Sequence, residues 1–350
     1  MTGVFARQSP APAQDEAAAP AIYHGGDLGA ARLQFPGAPT PWLDLSTGIN
    51  AIPYPADSIS LEAMTRLPDS TALARLQGAA AKAYGATSVG FIVAAAGTQT
   101  IIQELPKLVP ARRVAILGFG YQEYPAVWRA AGADITITQD IAGLTEPGVD
   151  IAIVVNPNNP DGRMVEPQGL VEIATRLARR GGLLIVDEAF MDVMRPSASL
   201  VPILAEQGAV VLRSFGKAYG LAGLRLGFAV AGLELADQLR AALGPWAVSG
   251  PAIEIGTVAL ADTGWLTQSV TRLEQQAERL DALLTTVGFS IVGGTPLFRL
   301  ARHQQAAHWF EALGRCGILT RPFPERRDWL RFGIPGAEAD WTRLTEALQS

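Results

Sequence analysis

Five short apolar runs, at positions 91–95, 113–117, 151–155, 183–186 and 210–212, alternate with longer stretches in which apolar residues recur at helical spacing. The runs are apolar at nearly every position rather than at every second one, which predicts strands buried on both faces. The intervening stretches, 98–108, 124–131, 167–180 and 200–207, read as amphipathic helices, with proline and glycine at the joints. Apolar strands spaced by helices predict an α/β fold, a mostly parallel sheet covered on both faces. After Gly232 the texture changes. Helices are expected at 233–243 and 265–287, strand-like pieces at 290–292 and 297–300, a helix at 303–316 and a last one from Ala337. That mixture predicts a smaller α+β unit. The residues before about Ser70 read as irregular, with turns at Pro53, Pro55 and Pro68, and no solenoid-length repeat is present.

Composition narrows the classes. The chain has 350 residues, 49% hydrophobic and 17% charged, enough for a large core and about two domains. A net charge of -5 argues against nucleic acid as the main partner. No run approaches the roughly 18 apolar residues of a spanning helix. The Ala/Pro-rich start carries Asp15 and Glu16 and lacks an apolar signal region, so residues 1–20 read as a disordered tail and the protein as cytoplasmic. Cys316 is the one cysteine, which excludes an intrachain disulfide and reads as a small buried hydrophobe. With one cysteine and three histidines, no metal site is expected. Of 28 basic residues only Lys82, Lys107 and Lys217 are lysines, so 28 − 3 = 25 are arginines and any lysine chemistry has three candidates.

In open α/β sheets ligands bind beyond the carboxyl ends of the strands. The groups standing there are Gly97-Thr98-Gln99, Asn156, Asp187, and Ser214 with Lys217. Gly97-Thr98-Gln99 opens a helix, and is either a phosphate seat or an ordinary threonine N-cap. Asp187 ends a hydrophobic strand, where a carboxylate needs a partner. A protonated pyridine nitrogen would serve, as would a helix cap or an arginine. Lys217 lies among apolar and small residues. That reads as an amine whose proton affinity is depressed and which acts as a nucleophile, or as a solvated lysine in a glycine-rich loop. Ser214 and Arg225 are placed to grip a phosphate. Ser214-Phe215-Gly216-Lys217 also fits the Ser-x-x-Lys of serine acyl-enzymes, but their partner motifs are missing.

Three segments in order carry a resemblance: Asn156-Pro157-Asn158-Asn159-Pro160-Asp161-Gly162, Asp187-Glu188-Ala189-Phe190, and Ser214-Phe215-Gly216-Lys217 continuing to Leu224-Arg225-Leu226-Gly227. They resemble the signatures of fold-type I pyridoxal-phosphate (PLP) enzymes, nearest the branch of histidinol-phosphate aminotransferases and threonine-phosphate decarboxylases. The likeness runs from about Tyr23 to the end. It implies a PLP-binding large domain over 67–240, a small C-terminal domain over 241–350, and an N-terminal arm over 21–66 that contributes to the small domain and the active site. It implies that Lys217 condenses with the cofactor aldehyde and later shuttles protons. Asp187 pairs with the pyridine nitrogen, Asn156 bonds the ring hydroxyl, and Tyr121 stacks on the ring. Gly97, Thr98, Gln99, Ser214 and Arg225 hold the cofactor. Arg331, in Trp329-Leu330-Arg331-Phe332-Gly333, matches the arginine that binds the substrate carboxylate. Asn156 also falls among the expected substrate contacts.

Two departures matter. Phe190 stands where many relatives have a tyrosine, which leans toward the decarboxylases. Leu67, in Arg66-Leu67-Pro68-Asp69, stands where relatives commonly have a tyrosine that reaches the partner subunit's cofactor phosphate. Leucine has no hydroxyl to supply that contact. His24-Gly25-Gly26-Asp27 and the stretch from Leu43 to Asn50 are similar to the opening of threonine-phosphate decarboxylases. His24, Gly25, Gly26 and Asn50 are therefore expected at the substrate phosphate. The reaction expected is decarboxylation of L-threonine O-3-phosphate to (R)-1-amino-2-propanol phosphate for cobalamin biosynthesis, in a homodimer. An aminotransferase of the histidinol-phosphate type is the alternative. A catalytically idle scaffold subunit is the third reading, and the intact Lys217, Asp187 and Arg225 speak against it.

Overall fold

The computed structural model describes residues 24–56 and 59–349; the expected tail at 1–20 and Tyr23 lie outside them. Seven strands form the main sheet: β1 (Ile92–Ala95), β2 (Arg113–Leu117), β3 (Asp134–Thr138), β4 (Ile151–Val155), β5 (Leu183–Asp187), β6 (Ala209–Ser214) and β7 (Gly227–Ala231). Their order is β1-β7-β6-β5-β4-β2-β3. All neighbours run parallel except β7, antiparallel to both β1 and β6. Every residue of β1, β4, β5 and β7 is buried, as continuous apolar runs require when helices cover both faces. One core lies on each side of the sheet.

The parallel arrangement puts the carboxyl ends of β4, β5 and β6 side by side. Val155 is paired with Asp187, and Asp187 with Leu212. Helix Thr98–Leu108 starts directly after β1, from a Gly97 with φ +84° that a side chain would strain.

A second sheet has four antiparallel strands: β8 (Ser290–Thr295), β9 (Phe298–Arg302), β10 (Arg321–Pro322) and β11 (Trp329–Gly333), in the order β10-β11-β9-β8. A third core gathers here, and the chain's opening joins it. Ala31, Phe35 and Leu45 pack with Leu280, Phe310 and Trp341, and the two-residue strand Leu43–Asp44 pairs with Ile318–Leu319. Residues 24–48 are thereby carried to the sheet edge.

The helix expected at 200–207 shrinks to a single 3-10 turn, Val201–Ile203, because Pro202 removes a backbone donor and Gly208 follows. Elements the pattern did not show are helices Leu28–Gln34, Ser70–Tyr84 and Gly250–Ala261 and strands β3 and β7. Among the described residues no helix is long and apolar enough to cross a membrane, and no cluster of three or more His, Cys, Asp or Glu could hold a metal ion.

Candidate active site

A cavity of about 210 Å³ opens at the carboxyl ends of β4–β6. Eleven of the expected residues line it: His24, Gly25, Gly97, Thr98, Gln99, Tyr121, Asp187, Ser214, Lys217, Arg225 and Arg331. Lys82 and Lys107 are exposed elsewhere, so Lys217 is the lysine of this site.

Lys217 stands on the short helix Phe215–Ala218 that follows β6. Protein surrounds its amine, yet its surface opens to the cavity. Burial, with the charge of Arg331 next in size, lowers its pKa to about 8. Its carbonyl accepts from the Asn50 N–H at 2.9 Å. The Nζ sits 5.7 Å from the centre of the Phe190 ring, which meets the Phe298 ring edge-on at 5.0 Å. Gly48 fits between them, since a Cβ there would lie 2.8 Å from Phe298 and 2.9 Å from Phe190.

Asp187 is buried at the end of β5. Oδ2 accepts from the Tyr124 hydroxyl and Oδ1 from the Ala189 N–H, both at 3.0 Å. Burial raises its pKa, against those hydrogen bonds and the charge of Lys217. The carboxylate would gain from a further cation. Tyr121 donates to Gln99 Oε1 at 3.1 Å, and burial raises its hydroxyl pKa to about 12. Its ring meets Tyr124 edge-on at 6.1 Å.

Groups that could hold an anion line the same cavity. Gly97 and Thr98 open their helix toward the cavity, with Ser214 and Arg225 beside them. A Cβ on Gly97 would lie 2.8 Å from Arg225 Nη2, and one on Gly227 2.5 Å from the Thr98 nitrogen. Arg225 itself holds a left-handed φ of +51°. Glycines thus let the guanidinium and the helix amides approach one point.

Two arginines form the remaining wall. Arg331 is 2% exposed; Nη1 donates to Asn159 Oδ1 at 2.5 Å and Nη2 to the Ser46 carbonyl at 2.7 Å. Neither acceptor is a carboxylate, and Nε is buried without a hydrogen-bond partner. Burial pushes its pKa well down, and the charge of Arg321 pushes the same way. Arg321 is its register partner on β10 and lines the same cavity. Two like charges thus stand side by side on the cavity wall, with the Asp44 carboxylate acting on Arg331 in the opposite sense.

Sequence reasoning missed Arg321 and Asn159. The first lies in a two-residue strand without a pattern. The second stood inside a quoted motif, where its contact to Arg331 was the unread signal.

Three expected contacts are not on the cavity wall. Asn50 is buried and spends its amide on the Ala218 carbonyl and Ser269 Oγ, both at 2.9 Å, while Oδ1 accepts from Ile52 N–H at 3.1 Å. These bonds brace the backbone beside Lys217. The Gly26 N–H donates to Ser46 Oγ at 2.7 Å. Asn156 is fully buried and ties both ends of its amide to Val165, donating at 3.1 Å and accepting at 2.7 Å. His24 does reach the cavity, and its Nε2 pairs with Glu123 Oε1 at 2.9 Å.

The family model for aminotransferase class I and II matches residues 49–348. A threonine-phosphate decarboxylase from Sinorhizobium sp is 44% identical over 331 residues, covering 93% of this chain and 97% of that protein. A protein of the same name from Pseudomonas aeruginosa is 42% identical with the same coverage. The crystal structure of histidinol-phosphate aminotransferase from Sinorhizobium meliloti in complex with pyridoxal-5'-phosphate superposes with a TM-score of 0.78 at 20% identity, covering 94% of this chain and 95% of that one. That likeness speaks for the fold.

Proposed function

From the premise that this chain belongs to the class I and II aminotransferase family, we propose that it is a PLP-dependent decarboxylase of L-threonine O-3-phosphate. The observation that carries the reading is the pair Arg321 and Arg331 on one wall of the Lys217 cavity. A substrate with two anionic groups, a carboxylate and a phosphate monoester, answers two cations held together in this way. The relatives at 42–44% identity bear the name of an enzyme for such a substrate.

The residues present fit PLP. A ring nitrogen would meet Asp187, the phosphate would meet Gly97, Thr98, Ser214 and Arg225, and the ring would lie against Tyr121. When bound, the cofactor supplies an aldehyde that condenses with amines and a protonated ring that draws electrons from a bond at the substrate Cα. This chain's residues do the rest. Lys217 presents a largely desolvated amine, close enough to neutrality to attack an aldehyde. Asp187 stays where a positive ring nitrogen would rest and favours its protonation. Arg331 takes the substrate carboxylate through its guanidinium on the cavity wall, and Arg321 with His24 faces the phosphate. The bond from Cα to the carboxylate would break, CO2 would leave, and Lys217 Nζ would return one proton to Cα. The product is 1-amino-2-propanol phosphate, which this reading assigns to cobalamin biosynthesis in the cytoplasm.

A homodimer completes the reading. Leu67 and Val258, exposed at 67% and 58%, line a groove of about 620 Å³ on the face of helix Gly250–Ala261, and Leu61 and Met64, at 77% and 64%, are exposed on the short helix Leu61–Thr65 packed against it. Apolar groups gathered on one face support a second copy of the chain there.

The test is incubation of the PLP-loaded protein with threonine phosphate. CO2 released without a keto-acid acceptor supports the decarboxylase. Strict dependence on an acceptor overturns it in favour of an aminotransferase.

A further inference from the structure

The cavity wall does not include Tyr124, yet this residue touches both groups that would hold a ring. It lies on helix Glu123–Ala130, fully buried, with its hydroxyl 3.0 Å from Asp187 Oδ2. Its ring meets that of Tyr121 edge-on at 6.1 Å. The other Asp187 oxygen is fixed by the Ala189 N–H at 3.0 Å. The Asp187 carboxylate is thus pinned at both oxygens, one by the backbone two residues on and one by a side chain of helix Glu123–Ala130. A tyrosine hydroxyl in a dry interior needs an acceptor, and a buried carboxylate needs donors. Each satisfies the other.

We infer that Tyr124 is a positioning residue that acts through Asp187, orienting its carboxylate toward the ring nitrogen of the cofactor while bracing the Tyr121 ring. The inference rests on the PLP reading above and deepens it. Without the hydroxyl, Asp187 Oδ2 has no fixed donor, and the carboxylate can turn or take up a proton. Burial already pushes Asp187 toward its neutral form, and the Tyr124 hydrogen bond opposes that push. A neutral or turned Asp187 holds a protonated pyridine nitrogen poorly. Tyr124 does not line the cavity that holds Lys217 and the two arginines, so substrate binding should be spared.

The test compares PLP with its 1-deaza analogue, which has carbon in place of the ring nitrogen. Affinity of the full-length apoprotein for each is measured by spectral titration, for wild type and for Tyr124→Phe. The preference of wild type for PLP over the analogue should fall about tenfold in the variant, while affinity for the analogue changes little. With PLP saturating, kcat on threonine phosphate should fall and KM stay within about twofold. A merely structural role would weaken both cofactors equally. An unchanged PLP-to-analogue ratio, or an equal loss for both, overturns the inference. Should Tyr124→Phe not fold, Tyr124→His is measured instead. Its displaced donor must also lower the ratio, and a wild-type ratio overturns the inference. A wild type that binds neither compound would sink the PLP reading itself, which is a separate outcome.

Discussion

Replacing Arg331 by glutamine would remove the guanidinium that stands 2% exposed on the cavity wall. Its two outer nitrogens are fixed by Asn159 and the Ser46 carbonyl, so the side chain is oriented before any ligand arrives. Little rotamer entropy is lost on binding, and the gain comes from charge-assisted hydrogen bonds of about 1.5–3 kcal/mol each. Allowing for one or two such bonds to a carboxylate, the loss is about 2–5 kcal/mol, or roughly 30- to 4,000-fold in kcat/KM for threonine phosphate. The product lacks that carboxylate. Inhibition by 1-amino-2-propanol phosphate should therefore be nearly unchanged in Arg331→Gln, and this separates lost recognition from a damaged site. Steady-state kinetics with a product-inhibition series makes the measurement. A kcat/KM within about threefold of wild type, or product inhibition weakened as much as substrate use, would refute the assignment.

Other consequences follow from the same geometry. Gly97→Ala sets a Cβ 2.8 Å from Arg225 Nη2 at a φ of +84°, a strain of about 1–2 kcal/mol before any displacement of Arg225. PLP should bind about tenfold or more weakly by spectral titration, with wild-type affinity counting against the phosphate seat. Lys217 titrates near 8 in the folded apoprotein and near 10.5 when unfolded. The unfolded chain holds the proton longer, so apoprotein stability should rise with pH between those values by up to about 3 kcal/mol. Urea unfolding across that window, with Lys217→Met as the flat reference, reads the slope; identical slopes would contradict the lowered value. Behind Asp187, Glu188 pairs with Arg213 at 2.7 Å and accepts from Ser199 Oγ at 2.6 Å. Asp192 also pairs with Arg213, so Glu188→Ala removes one of two carboxylates on that buried guanidinium and should cost about 1.5–3 kcal/mol, seen as a lower urea midpoint; a loss under 1 kcal/mol would deny the pair that role.

How much of this was legible depends on what local sequence records. The strands behind the site were readable because burial on both faces forces unbroken apolar runs, as in Ile151–Val155. Asp187, Ser214 and Lys217 stood out as polar groups at the ends of such runs, and Arg225 in the glycine-rich segment that follows. Helix Gly250–Ala261 escaped because apolar residues surround it on most sides and leave no amphipathic period. Strand β3 escaped because Asp134–Thr138 lies at the sheet edge with partly exposed, polar-alternating residues. Arg321 was invisible because its importance comes from a register partner, Arg331, ten residues further along. The contacts of Asn50 inside the fold, to Ala218 and Ser269, are long-range and leave no local sequence trace.

The claim beneath all of this is that Lys217 is the one amine that captures the cofactor. Borohydride reduction of the PLP-loaded protein followed by peptide mapping tests it directly. The account predicts a phosphopyridoxyl label on the peptide containing Lys217 and none in Lys217→Ala. A label on Lys82 or Lys107, or undiminished labelling of Lys217→Ala, would contradict it.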